Sequence, residues 1–461
     1  MHNLLKLHYR SVALTCVFSL CMGASLSHAA TFVVSKPTDS LDGACDSDCS
    51  LREAVVAANA LPGADTIVLG ADTYSLTLPT DMHETEPFPT DEEDNLNGDL
   101  DIHDSLTIVG VDPQSSIING TAEARDRLLE VFAGAKLILQ NVSLNNGKTW
   151  RYGGALENHG EAVLRNVAFS GNNAWSGDGD GGGGGAIVNW GRMEVRSSRF
   201  VNNRNGSSCC GGLGGAIMNW RSGTLTVRDT LFRSNSAYDN NEAGLGGAIY
   251  NAGIATVGGS SFISNRGNEG AAINNSGNGD LKIFNSTFSG NSMQYFQNGA
   301  IVNGSLPYYP GQVARLQLVN VTITGSVGGY GLLNRGGSVL IRNSIIAGNM
   351  GETPGTYLEC SNVGPSTYKA VGLLLGTGTS PSNCTADSSV DSASTMSTVL
   401  YELADNNGTT PTHALRRNSP AIDAGVGSCA SVDQRGLRRP REGNGDGLAV
   451  CDLGAYERAY P

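Results

Sequence analysis

From about residue 130 onward the apolar residues fall in short alternating runs, without helical spacing. In "LKIFNSTFSGN", Leu281 and Ile283 alternate with polar neighbours, Asn285 interrupts, and the pattern resumes toward Phe288. This predicts two short strands joined by a tight bend. The bend position is Asn141, Asn166, Asn285, Asn320 or Asn343 in five copies, with Ser197, Asp229 and Gly259 in others. Asparagine and glycine tolerate the left-handed conformation that such a bend needs. Phe169, Phe200, Phe232, Phe262 and Phe288 share one equivalent position, each followed three residues later by Asn172, Asn203, Asn235, Asn265 or Asn291.

A second motif recurs in step with the first: "GGALEN" ending at Asn158, "GGAIVN" at Asn189, "GGAIMN" at Asn219, "GGAIYN" at Asn251, "GAAINN" at Asn275, "NGAIVN" at Asn303 and "YGLLN" at Asn334. The spacings are 31, 30, 32, 24, 28 and 31 residues. A period of this length without helical patterning predicts a parallel β-helix, one repeat per coil, with like positions stacked on the next coil. Glycine then permits a sharp corner and close backbone approach, and the following Ala and Ile fill the core. At about 4.8 Å per coil, about eleven coils make a rod on the order of 50 Å long. The run Gly181 to Gly185 contains no G-x-x-x-x-G-K-[ST] and precedes no helix start, so it is no phosphate loop, and Asp178 and Asp180 beside it read as solvated loop acids.

A solenoid exposes its core at both ends and needs caps. "CSLREAVVAANALPG" supplies one: Ser50 and Glu53 form a capping box, and Leu51, Ala54, Val55 and Ala58 share a helical face before Pro62 and Gly63. The last hundred residues are rich in Gly, Pro and paired charges, and predict an irregular cap with a few short strands. There Asp433, Arg435, Arg438, Arg439, Asp452 and Glu457 read as buried structural ion pairs. The expected organisation is 1–29 signal, 30–130 first cap and coils, 131–350 repeats, and 351–461 last coils and second cap.

The first 29 residues, basic and then apolar with "SHA" at their end, read as a cleaved secretory signal, and the apolar run is too short to span a membrane. Without Lys6 and Arg10 the mature chain has 28 basic against 43 acidic side chains, a formal charge of −15. Nucleic acid is a poor partner for that balance, and no transmembrane segment is expected after the signal. Eight cysteines remain, Cys45, Cys49, Cys209, Cys210, Cys360, Cys384, Cys429 and Cys451; an even number outside the cytosol predicts disulfides, with the connectivity open.

Candidate chemistry is sparse. Asp91, Glu92, Asp94 and Asp99 in "TDEEDNLNGDLDIHD" are a candidate calcium site, although glycine is not sixth as in an EF-hand; no other cofactor is implied. His83, His103, His159 and His413 are too dispersed for a metal cluster and read as surface or turn residues. Glu157, Glu161, Glu194, Asp229, Asp239, Glu242, Glu269 and Asp280 form no column on adjacent coils, and no lyase or hydrolase signature occurs, so no catalytic residue is assigned. All four tryptophans, Trp150, Trp175, Trp190 and Trp220, lie within about two and a half coils. His159, Trp190 and Trp220 follow equivalent asparagines, which predicts an outer aromatic column; it either covers neighbouring loops or packs against sugar rings.

"CSLREAVVAANALPGADTIVL" with "GDLDIHDSLTIVG" resembles the CSLREA amino-terminal domain, and "NNGTTPTHALRRNSPAIDAG" with "DQRGLRRP" and "CDLGAYE" resembles the choice-of-anchor Q carboxy-terminal domain. The paired GGAI and FxxN elements resemble repeats of chlamydial polymorphic outer membrane proteins, surface adhesins with a right-handed β-helix passenger. These resemblances imply a secreted or surface-exposed bacterial protein. No sorting segment or membrane barrel follows "AYERAYP", which leaves release into the periplasm or medium open beside surface attachment. The combined expectation is an all-β, right-handed parallel β-helix of the pectin-lyase type with a helical N-terminal cap and a disulfide-stapled C-terminal cap. Its expected function is non-enzymatic, adhesin-like or glycan-binding, with a polysaccharide or cell-surface ligand. The alternatives are a polysaccharide lyase or glycoside hydrolase, and a structural envelope component.

Overall fold

The computed structural model describes residues 29–80, 94–122, 126–176, 182–207, 211–237, 244–293, 298–304, 313–379 and 383–460. The signal residues up to 28, and His83, Asp91, Glu92, Asp178, Asp180, Cys209, Cys210, Asp239 and Glu242, lie outside the described residues. Among the described residues the strands form a 20-stranded, a 10-stranded and a 5-stranded sheet, all parallel and wound around one core, and one antiparallel pair. This is the expected parallel β-helix.

One coil shows how the repeat becomes structure. Ile187–Asn189 lies in the 10-stranded sheet, Arg192–Arg196 and Arg199–Val201 in the long sheet, and Arg204–Ser207 in the short one. The bend between the two long-sheet strands is left-handed at Ser197, as at Asn141, Asn166, Asp229, Asn285, Asn320, Asn343 and Gly259 in other coils. Gly184 has φ +68°, and a Cβ on Gly185 would meet the Gly215 carbonyl of the next coil at 2.2 Å. The glycine pair is therefore a left-handed corner followed by a position where one backbone touches the next.

Inside, equivalent residues pile up. Ile187, Ile217, Ile249 and Ile273 are fully buried in register, as are Val195, Val227, Val257 and Ile283. The five phenylalanines stack nearly parallel at centroid spacings of 4.6, 4.8, 4.7 and 4.6 Å. Two asparagine ladders flank them. In one, Asn158, Asn189, Asn219, Asn251, Asn275, Asn303 and Asn334 each donate from Nδ2 to the Oδ1 of the next rung at 2.7 to 2.8 Å, ending on Asn362. In the other, Asn172 through Asn291 do the same at 2.9 to 3.0 Å, and each Nδ2 from Asn203 onward also donates to a phenylalanine carbonyl. A buried carboxamide costs free energy unless its groups are paired, and the identical residue one rung away pairs them.

The helix Leu51–Asn59 has the capping box in place and buries Leu51, Ala54, Val55 and Ala58 against the first coils. Arg52 is fully buried: it pairs with Asp39 at 2.8 Å and donates to the carbonyls of Asn95, Asn97, Gly98 and Asp99. Cys45 pairs with Cys49, Cys360 with Cys384, and Cys429 with Cys451.

The C-terminal segment does more than plug the open end. It pairs Leu400–Ala404 with Thr412–Leu415 and returns along the flank of the long sheet, where Thr410 donates to the Gly259 carbonyl, Gln434 bonds Thr287, and Ala455 bonds Thr322. Arg439 and Glu457 form a buried pair at 2.7 Å and Arg435 pairs with Asp433 at 2.7 Å, as expected; Arg438 is exposed instead. His413 also departs from expectation. It is buried, held by the Tyr401 carbonyl at 2.8 Å and Ser289 Oγ at 2.9 Å, because the returning strand presses it onto the solenoid.

Phe232→Ala removes the middle ring of the stack and is expected to cost about 3–5 kcal/mol. Asn219→Ala leaves ladder groups unpaired on both sides and costs about 1–3 kcal/mol per orphaned group. Denaturant melts of both variants measure these losses.

Candidate functional site

In the three-residue strands of the 10-stranded sheet the middle residue lies outside the main core. Along that column Asp101, Glu130 and Glu157 occupy adjacent coils in register, followed by Val188, Met218 and Tyr250. An acidic column on successive coils therefore exists, made by Glu157 with Asp101 and Glu130, which precede the repeats; the other repeat-region acids that are described do not join it. Asp101 and Glu130 lie in coils without the GGAI motif, so their equivalence to Glu157 shows only in the register.

Arg127 sits within this column, with its side chain almost wholly buried. Its Nη1 pairs with Glu130 and lies 3.6 Å from Asp99, and its Nη2 pairs with Glu157 at 3.1 Å. Glu157 Oε1 also accepts from Trp190 Nε1 at 3.0 Å and faces His159 Nε2 at 3.0 Å. Burial alone would raise the Glu157 carboxyl, but Arg127, His159 and Trp190 outweigh it and hold it below the usual range. The hydrogen bond to Glu157 raises the His159 imidazole, against a smaller opposing effect of burial.

The expected aromatic column forms. His159 and Trp190 stack at 5.9 Å with planes 3° apart, and Trp220 meets Trp190 at 5.6 Å and 64°. Tyr152 packs edge-on against Trp190, and the Arg221 guanidinium lies 5.5 Å from the Trp220 ring. Together with Leu213 and Leu245 these rings pack over Val188, Met218 and Tyr250 as a small outer core. Trp190 thus offers little free face to a ligand.

The other two tryptophans are differently placed. Trp150 and Trp175 line a pocket of about 320 Å³ with Ala122, Lys148, Thr149 and Asn173, where the short sheet begins. The lining is largely apolar, and Asn173 contributes an Oδ1 shut off from solvent with no hydrogen-bond donor. Nothing in the spacing of Trp150 and Trp175 shows this meeting, because neither occupies a repeated motif position.

Of the candidate calcium ligands, Asp94 is exposed and accepts from the Leu96 amide, whereas Asp99 is buried beside Arg127. Asp99 instead comes together with Asp101 and Glu130, whose carboxylate oxygens lie within 4.8 Å of one another. Arg127 supplies positive charge to that group. His103 is exposed and packs at a 35° tilt against the Phe132 ring, with centroids 4.3 Å apart.

No protein family and no curated protein sequence matches the chain. Among solved structures it is similar to ORF18 of Geobacillus virus E2, with 10% identity and a TM-score of 0.28, over 68% of this chain and 55% of that one. The chain thus spans little more than half the length of that protein, and a likeness this distant carries no functional information.

Because folding raises the proton affinity of His159, the bridge to Glu157 stabilises fully below about pH 6.5 and is lost as pH climbs through the raised value. An NMR titration should place the His159 ring above the ordinary imidazole value, and Glu157→Gln should bring it down. A ring that titrates alike in both proteins would contradict the bridge.

Proposed function

We propose that the protein is a non-enzymatic, adhesin-like β-helix of the bacterial exterior, secreted or held at the outer surface, that binds a glycan in the Trp150–Trp175 pocket. The observation that carries this reading is the pairing of two indoles with Asn173, Thr149 and Lys148 around about 320 Å³, within the range of small-ligand sites. Flat aromatic surfaces take the apolar faces of sugar rings, and amide, hydroxyl and ammonium groups take the hydroxyls around their edges.

The location is supported by three disulfides, which form and persist outside the reducing cytosol, and by the resemblance in sequence of the two ends to CSLREA and choice-of-anchor Q domains. No described helix is long and apolar enough to cross a membrane. The non-enzymatic reading is supported by the state of the acidic column. Asp99, Asp101, Glu130 and Glu157 are buried and gathered about Arg127, whereas an acid or base catalyst must reach the atom it protonates. The His159–Trp190–Trp220 column serves on this account as the supporting wall.

On a glycan array, Trp150→Ala with Trp175→Ala should abolish retention that the unaltered chain shows, while the thermal midpoint stays nearly constant. Trp190→Ala should instead lower the midpoint by breaking its bond to Glu157. Retention unchanged in the double variant, or release of unsaturated or reducing-end products by the unaltered chain, would refute the proposal.

A further inference from the structure

On the outer face of the long sheet, the last residue of each five-residue rung forms a column. Arg165 lies beside Arg196 and Arg196 beside Arg228, and Gly258, Phe284, Val319 and Arg342 follow on successive coils. Arg165 and Arg196 are exposed and Arg228 is half-buried. At Gly258 the column has no side chain of its own. The Phe284 ring lies across the gap, so close that a Cβ on Gly258 would come within 2.2 Å of it. The Arg228 guanidinium is 5.4 Å and the Lys282 ammonium 5.9 Å from that ring's centroid, so the ring joins the arginine ladder to a second basic group.

Beyond it, Lys282, Phe284 and Arg342 line a cavity of about 350 Å³ that Ser428, Cys429 and Ala430 of the returning C-terminal segment also line. The nearby carboxylates leave the track basic. Glu194 pairs with Arg196, Glu161 is held by Lys136 at 3.0 Å, and Asp229 in the bend attracts both Arg228 and Arg196 without a salt bridge to either, which leaves Arg165, Lys282 and Arg342 without a carboxylate salt bridge among the described residues. Three arginines stacked at about the 4.8 Å strand spacing repel one another, although the chain as a whole is acidic at −13. A polyanion lying along the column would turn that repulsion into attraction.

We propose that this face is a binding track for a linear anionic polysaccharide that runs along the solenoid axis from Arg165 to the Arg342 cavity. Seven rungs separated by six steps of about 4.8 Å give a track of about 29 Å. An extended chain with one carboxylate or sulfate per sugar places its charges in step with such rungs, and the Phe284 ring offers a face where the arginines are interrupted. Duplex nucleic acid fits less well, because its phosphates wind in two rows around a cylinder and the acidic surface beyond the track repels it. The site is separate in its residues from the Trp150–Trp175 pocket, and each can fail without the other.

The test uses the whole disulfide-bonded chain with immobilised dextran sulfate, uncharged dextran and double-stranded DNA. The triple variant Arg165→Gln, Arg196→Gln, Arg228→Gln is compared with Arg221→Gln, Arg266→Gln, Arg417→Gln, which removes equal charge from exposed positions away from this face. Dextran sulfate should bind and dextran should not. The ladder triple should bind about tenfold more weakly with a shallower salt dependence, and the control triple within about twofold of the unaltered chain. Arginine-to-lysine replacements at the ladder should retain most of the binding, which separates lost charge from lost folding. Absence of dextran sulfate binding, equal losses in the two triples, or DNA bound as tightly as dextran sulfate would each overturn the proposal. Retention of neutral glycans by the ladder triple reports on the tryptophan pocket independently.

Discussion

The structure depends on the in-register pairing of each coil with the next, and the buried asparagine ladders are where that constraint is strictest. A hydrophobic column tolerates a small slip, since one aliphatic side chain packs nearly as well as another beside it. A buried carboxamide does not: its donors and acceptor must meet partners in fixed directions, and the ladder supplies them only when the same residue recurs on the neighbouring rung. The glycine corners follow from the same closeness. At Gly185 the carbonyl of the next coil occupies the volume a Cβ would need.

Stacking also multiplies whatever a position carries. For neutral groups this is favourable, and the interior uses it in five phenylalanines and two rows of asparagines. For charged groups it is unfavourable unless something compensates. The acidic column is compensated from within by Arg127 and His159 and sealed by Trp190, so its charge is spent on structure. The arginine column is left at the surface, where among the described residues Glu194 alone forms a salt bridge with it and Asp229 acts on Arg196 and Arg228 from the bend, and this contrast separates a structural charge cluster from a candidate contact surface.

Much of this was legible in the sequence, for identifiable reasons. Ser50 and Glu53 act within one turn of chain, and the Phe and Asn positions recur at the coil period, so local pattern suffices for the helix, the bends and both ladders. Arg165, Arg196 and Arg228 stand at the same place in "VLRN", "EVRS" and "TVRD", a signal that was open to reading. What the pattern could not show is contact between positions of unlike spacing. Arg52 reaches a loop more than forty residues away, His413 meets Ser289 across the returning segment, and Phe284 fills the space left by Gly258 one coil earlier. The acidic column stayed hidden because two of its three members lie in coils that lack the glycine motif.

The register itself is most directly tested by cross-linking on the outer face. Thr226 and Thr256 are partners on adjacent rungs, and Lys282 lies one rung further. Cysteines at 226 and 256 should form a disulfide rapidly under mild oxidation, as mapped by mass spectrometry, since neighbouring rungs fall within the roughly 4.4–6.8 Å that a disulfide spans. Cysteines at 226 and 282 should not. Failure of the first pair, or efficient linkage of the second, would contradict the stacked register.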